Sequence, residues 1–156
     1  MKGTTRIRVR PARADEAGQL TELAMTSKAH WGYDAAFLAQ CRPALTLHPE
    51  ELARLRAHVA EVDGLLAGFF TLRGEPPEGA LEHLYVAPDA IGRGVGRELL
   101  LQACRVARAQ GFSSLVIHAD PNAEAFYARQ GAVRAGEVPS ESIPGRVLPL
   151  LRIDLG

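Results

Sequence analysis

The chain has 156 residues, 47% of them apolar and 23% charged, the balance of one globular unit with a sizeable core. Its 18 lysines and arginines match 18 aspartates and glutamates, and a formal charge of zero argues against a nucleic-acid partner or an anionic membrane surface. Cys41 and Cys104 form neither a metal-ligand spacing nor a disulfide framework, and no stretch nears the ~20 apolar residues of a membrane span. The opening MKGTTRIRVR lacks the apolar middle of a leader peptide, so the cytoplasm is the expected compartment.

In chain order, Ile7 and Val9 alternate with Arg6, Arg8 and Arg10 as a half-buried strand that Pro11 ends. Asp15 signals the start of a helix carrying Ala17, Leu20, Leu23 and Ala24. A second helix is expected from an Asp34 cap through Ala35, Phe37, Leu38 and Cys41, with Pro43 ending it. The loop expected between them, Ser27 to Tyr33, places His30, Trp31 and Tyr33 where binding groups often sit. The plainer reading of Trp31 and Tyr33 is that they pin this loop to the core. Glu50 to Leu52 fit one helical turn. Leu55–Val62 and Leu65–Leu72 then read as two strands joined by Asp63-Gly64, a strong hairpin signal. Gly74 to Gly79, with Pro76 and Pro77, is a turn into the next strand.

The stretch Leu81–Leu101, LEHLYVAPDAIGRGVGRELLL, organises the rest. Leu81, Leu84, Tyr85 and Val86 form a strand that Ala87-Pro88-Asp89 stops. Gly92, Gly94 and Gly96 follow, flanked by Arg93 and Arg97, and a helix starts within them carrying Leu99, Leu100, Ala103, Val106 and Ala107. A strand, a glycine turn and a helix N-terminus make an anion site, because the first helical N–H groups lack partners and the dipole is positive there. Ser113–His118 is a further strand ended by Asp120-Pro121. Asn122 is the expected cap of a helix through Ala123, Ala125, Phe126, Tyr127 and Ala128 that stops at Gly131. Ala135 to Arg146 reads as a loop, and Val147 to Ile153 as part of the last of two closing strands.

The glycine pattern from Gly92 is neither G-x-G-x-x-G, since Arg97 replaces the third glycine, nor a lysine-bearing ATPase loop. G-x-G-x-G after a strand ending V-x-P resembles the pyrophosphate loop of the GNAT superfamily of N-acetyltransferases. The family pattern [QR]-x-x-G-x-[GA] falls on Ile91-Gly92-Arg93-Gly94-Val95-Gly96, with Ile91 replacing the usual Gln or Arg. A second resemblance lies in Asp120-Pro121-Asn122-Ala123-Glu124-Ala125-Phe126-Tyr127 and Gly131, similar to the family's N-x-x-A-x-x-[FY]-Y-x-x-x-G-F stretch. Asp120 stands there for Asn and Ala132 for Phe, which leaves open whether Asp120 or Asn122 contacts the cofactor. The opening R-x-A-x-x-D before a helix is also similar to the start of a GNAT domain.

The resemblance covers nearly the whole chain and implies a single GNAT domain over residues 1–156. The implied fold is α/β of the α+β kind, a mixed, mostly antiparallel central sheet with helices on both faces. The implied activity is acetyl transfer from acetyl-CoA, as co-substrate, to an amine of unidentified acceptor. By resemblance Tyr127 is the acid for the leaving thiolate, and the backbone of Leu84 and Val86 holds the pantetheine. Ile91 to Arg97 hold the pyrophosphate, Asn122 is an expected cofactor contact, and His30, Trp31 and Tyr33 line the acceptor site. Glu82 matches the base position, with His83 or water as alternatives. Alternation places Glu82, Leu84 and Val86 on one strand face and His83 and Tyr85 on the other. No metal is expected, and His30, His48, His58 and His118 show no ligand spacing.

Two other readings remain at this level. A catalytically weak acyl-CoA-binding or regulatory domain would keep the loop without turnover, and Ile91 makes that conceivable. A dinucleotide-binding unit would use Asp120 past the glycines, against which Arg97 and the preceding antiparallel hairpin both speak. The acceptor is a small molecule or peptide amine, and the assembly is open between monomer and the homodimer common among GNAT proteins.

Overall fold

The computed structural model describes residues 6–156, so the first five residues of the segment read for a leader lie outside it. The strands are β1 (Ile7–Pro11), β2 (His58–Val62), β3 (Leu65–Arg73), β4 (Glu78–Val86), β5 (Ser114–His118), β6 (Val133–Pro139) and β7 (Val147–Asp154). The helices are α1 (Ala17–Ala29), α2 (Ala35–Leu45), α3 (Val95–Ala109) and α4 (Glu124–Arg129), with short 3-10 turns at Ala14–Glu16 and Pro121–Ala123 among others. One sheet runs in the order β1-β2-β3-β4-β5-β7-β6, antiparallel everywhere except between β4 and β5. The expected mixed sheet with helices on both faces is therefore observed.

Each sheet face carries its own core. Leu99, Leu100, Ala103 and Ala107 of α3, with Tyr127 of α4, pack on Phe70, Leu72, Leu81 and Leu115. Leu20 and Ala24 of α1 and Cys41 and Leu45 of α2 pack on Val59 and Phe69 from the other side. Phe69 and Phe70 are successive residues of one strand, so period-two geometry sends them to opposite cores. The β2–β3 hairpin turns at Asp63 (φ +53°) and Gly64 (φ +82°), the pair of positive φ values that a type I′ turn requires.

Several boundaries differ from the sequence expectation, each for a local reason. The strand expected from Leu55 begins at His58, because Arg56 sits at φ +50° and turns the chain. Helix α1 runs on to Ala29, so Ser27 and Lys28 are helical and the loop starts at His30. Helix α2 runs through Pro43 to Leu45; the missing N–H falls in the last turn, where little helix remains to be disrupted. Asp120, not Asn122, is the cap: its carboxylate accepts the Asn122 N–H at 2.9 Å, opening a 3-10 turn ahead of α4. The stretch from Ala135, expected as loop, belongs to β6 as far as Pro139, with a bulge between Arg134 and Gly136 that spoils the period-two pattern.

Candidate active site

Strands β4 and β5 share three residue pairs, Glu78–Ser114, Gly79–Leu115 and Ala80–Val116. Beyond them the strands part, and the β5-facing edge of β4 from Leu81 to Val86 has no strand beside it. A cavity of about 560 Å³ opens in the gap, reaching the glycine loop, the start of α3, the end of β5, α4 and the last turn of α1. That volume is in the range of sites for drug-sized ligands, ~300–1,000 Å³.

The glycine loop forms one end of this cavity. Gly92 (φ +86°) and Gly94 (φ +82°) occupy left-handed backbone, which a Cβ disfavours. Gly94 is the N-cap of α3 without a side-chain cap. Glu98 makes the first intrahelical bond, to the Gly94 carbonyl at 3.1 Å, which leaves the N–H groups of Val95, Gly96 and Arg97 for an anion. Gly96 serves another need: a Cβ there would stand 3.3 Å from Phe126 Cζ, closing α3 on α4. Ile91 is half exposed on the cavity rim and Arg97 lines it, whereas Arg93 is not among the lining residues.

Tyr127 lines the same cavity from α4 and is only 6% exposed. Burial, with the Asp120 charge behind it, pushes its phenol well above the ordinary value, so the hydroxyl keeps its proton across the working pH range. Leu84, Tyr85 and Val86 line the cavity from β4, and burial raises the Tyr85 phenol in the same way.

The expected alternation on β4 needs one correction. Thr71 pairs with His83 but the next residue, Leu72, pairs with Leu81, so Glu82 is the extra residue of a β-bulge. Leu81 and Leu84, three residues apart, therefore both join the α3-side core, and Glu82 does not simply share the face of Leu84 and Val86. The bulged Glu82 opens onto two cavities at once, the main one and a smaller neighbour. Its carboxylate accepts a hydrogen bond from Arg73 Nε at 2.6 Å. His83 is held differently. Its Nε2 lies 3.1 Å from the Ala44 carbonyl, which can only accept, so Nε2 carries the proton and Nδ1 accepts from Thr71 Oγ1 at 2.7 Å. Both nitrogens are engaged, and burial holds the imidazole below its ordinary pKa.

Asp120 gathers a polar cluster at the far wall. It accepts from Lys28 Nζ at 2.8 Å, from the Tyr33 hydroxyl at 3.0 Å, and from the Asn122 backbone and side-chain amides at 2.9 Å each. Burial by itself would raise its pKa, but the Lys28 ammonium and these donors outweigh it and hold the carboxyl below the usual range. Arg146 of the β6–β7 loop donates from Nη2 to the Tyr33 oxygen at 2.7 Å. Its guanidinium lies 4.9 Å from the Phe37 ring centre and 5.2 Å from that of Tyr33, while the two rings stack at 4.1 Å.

Of the residues expected at an acceptor site, Trp31 alone borders the main cavity, 47% exposed at its mouth. Tyr33 stands behind Asp120, and His30 only meets the Trp31 ring edge-on at 5.8 Å. Asn122 and Asp120 both border the cavity, with the Asn122 amide already donating to Tyr33. Lys28, Arg73 and Arg146 escaped the sequence reading. They come from α1, β3 and the β6–β7 loop, and no local pattern joins them.

An α/β sheet parted at β4–β5, with a helix N-terminus aimed into the gap, defines an acyl-CoA-type site. The family model described as the acetyltransferase (GNAT) family matches residues 19–132, and the chain belongs to that family. The 5-NmdU N-acetyltransferase of Pseudomonas phage PaMx11 is 34% identical over 97 residues, 61% of this chain; the match spans 66% of that relative's own length. A GCN5-related N-acetyltransferase structure from Rhodopseudomonas palustris superposes with TM-score 0.80 over 99% of both chains at 24% identity. The PaiA N-acetyltransferase of Thermoplasma acidophilum, in complex with coenzyme A, superposes with TM-score 0.75 over 96% of this chain and 99% of its own at 19% identity. N-acetyltransferase chemistry with acetyl-CoA as co-substrate is the chemistry of this family. Among the described residues no cluster of metal-ligating side chains occurs, and no helix is long and apolar enough to cross a membrane.

Proposed function

We propose that this chain transfers the acetyl group of acetyl-CoA to an amine. The observation that carries the reading is the gap between β4 and β5, which holds the unpaired N–H groups of α3 at one end and the Tyr127 hydroxyl within it. The pyrophosphate lies on the backbone from Ile91 to Arg97, and the free edge of β4 at Leu84 and Val86 takes the pantetheine as an added strand would. Asn122 is a further cofactor contact.

The acceptor amine attacks the thioester carbonyl, the carbon–sulfur bond breaks, and the product is an amide. The attacking nitrogen loses its proton to Glu82, directly or through one water, while the leaving sulfur takes the Tyr127 proton. His83 is the weaker candidate base, because both of its ring nitrogens are already bonded. The protein acts in the cytoplasm on a small-molecule or peptide amine rather than on nucleic acid, as one domain, alone or as a homodimer. The alternative, an acyl-CoA-binding domain of weak turnover, draws on Ile91 at the loop and on the Glu82 carboxylate being held by Arg73.

Calorimetric titration with acetyl-CoA and with NAD tests the site, followed by thiol release over an amine panel. Binding of acetyl-CoA alone with amine-dependent thiol release is the expected result. Binding without release points to the regulatory alternative, and absence of binding ends the acyl-CoA reading.

A further inference from the structure

A second cavity, of about 140 Å³, adjoins the main one and shares Lys28, Leu81, Glu82, Tyr85, His118 and Asp120 with it. It lies well below the ~300 Å³ at which sites for drug-sized ligands begin, so it suits a small molecule or one end of one. Its remaining walls come from α2, from Arg73 of β3, from Ala80 and His83 of β4, and from the β6–β7 loop with the strand ends beside it.

The charges around it balance. Lys28, Arg73 and Arg146 face Glu82, Asp120 and Glu141. Lys28 is bonded to Asp120 and Arg73 to Glu82, at 2.8 and 2.6 Å. All three cations keep spare donors, but Arg73 is half exposed and can turn its own to solvent, whereas Arg146 holds its own at the cavity wall. Its side chain is 19% exposed, and its Nη2 serves the Tyr33 hydroxyl and lies 3.7 Å from Asp120. Nε and Nη1 donate to no protein acceptor among the described residues, and the bond to Tyr33 with the nearby Phe37 and Tyr33 rings holds the guanidinium in place. A planar donor fork at the wall of a small cavity fits a carboxylate.

We propose that this cavity holds the acceptor and that the acceptor is an amino acid or a similarly small amino carboxylate. The inference rests on the acetyltransferase reading of the adjoining site. Arg146 takes the carboxylate, and Glu82, open to both cavities, faces the amine at the passage to the thioester. A balanced pocket favours such a zwitterion over a polyamine, whose extra positive charges would meet Lys28, Arg73 and Arg146 with no carboxylate left over to offset them.

The experiment measures thiol release from acetyl-CoA with each amino acid set against its decarboxylated amine. A charge-assisted hydrogen bond is worth about 1.5–3 kcal/mol, so kcat/KM is expected to favour the amino acid by roughly ten- to a hundredfold. Arg146→Met should collapse that ratio to within about threefold through KM, and Arg146→Lys should restore part of it. A ratio near one in the unmodified protein, or one untouched by Arg146→Met, overturns the proposal while acetyl transfer to plain amines leaves the enzyme reading standing. A binding arm needs no turnover: amino acids, and not the matched amines, should raise the Tm of the protein saturated with coenzyme A. Equal shifts for the two overturn the pocket assignment. If coenzyme A itself fails to bind, the acetyltransferase reading falls instead, and the same Tm comparison on the free protein still decides what Arg146 holds.

Discussion

Replacing Glu16 by Gln is expected to weaken the fold at neutral pH and to leave it unchanged in acid. Glu16 is 3% exposed at the side chain and takes Arg10 through two bonds, of 3.0 and 2.8 Å. It also accepts the Arg13 N–H at 2.8 Å, so it ties β1 to the turn that launches α1, the helix that carries Lys28 to the site. Hydrogen bonding to Arg10 outweighs the cost of burial and lowers the carboxyl from 4.5 to about 2. The folded value lies below the unfolded one, so the stabilisation is complete above about pH 4.5 and is lost as pH falls toward 2. At 1.36 kcal/mol for each tenfold change in proton affinity, the drop corresponds to about 3 kcal/mol. Gln keeps one oxygen for Arg13 and Arg10 Nη1, but it loses the charge and sets an NH2 donor against Arg10 Nη2; Arg10 retains Glu61 at 3.2 Å, so a loss of about 2 kcal/mol is expected. Urea denaturation of both proteins from pH 7 to pH 3 reads the difference, which should fall to less than half by pH 3 and vanish only below about pH 2. A constant offset across that range would mean that the loss lies in packing, and the electrostatic account would fail.

Other expectations follow from the site. Tyr127→Phe should lower kcat by roughly 10²–10⁴ with acetyl-CoA affinity nearly intact, and an unchanged kcat would remove the acid role. Ile91→Arg, on the exposed cavity rim, should tighten acetyl-CoA binding by about tenfold at low salt, and a gain that survives high salt would show that the added charge is not the cause. Glu82→Gln should lower kcat by roughly 10²–10⁴ with acetyl-CoA affinity nearly intact, and an unchanged kcat would pass the base role to water. Trp31→Ala should raise the acceptor KM more than that for acetyl-CoA if its loop covers the acceptor's route; since the ring borders the main cavity and not the smaller one, the reverse would assign it to the cofactor.

What was legible in the sequence is what short-range chemistry dictates. Asp63-Gly64 specifies its turn through positive φ alone, and the Gly92–Gly96 loop announces a helix start by leaving its first N–H groups bare. The family motifs then supply the order of the elements. The sequence does not display what depends on register or on distance along the chain. Glu82 reads as an ordinary member of an alternating strand until its pairing with Thr71 and Leu72 reveals the extra residue. The sequence implies a strand before the last one, but the extent of β6 past Ala135 escapes because nearly all of it is exposed and its bulge breaks the alternation. Arg146 meets Tyr33 across 113 residues of chain, a contact that no local window contains.

The parting of β4 from β5 has a mechanical consequence. Four strands on one side and three on the other are joined at this seam by three rungs at one end, so the sheet resembles a clothes peg held at its spring. A molecule lying along the open length adds the missing rungs and binds the two jaws into one cooperative body. Amide hydrogens of Leu84 and Val86 should accordingly exchange with solvent faster in the empty protein and slow sharply when acetyl-CoA is present.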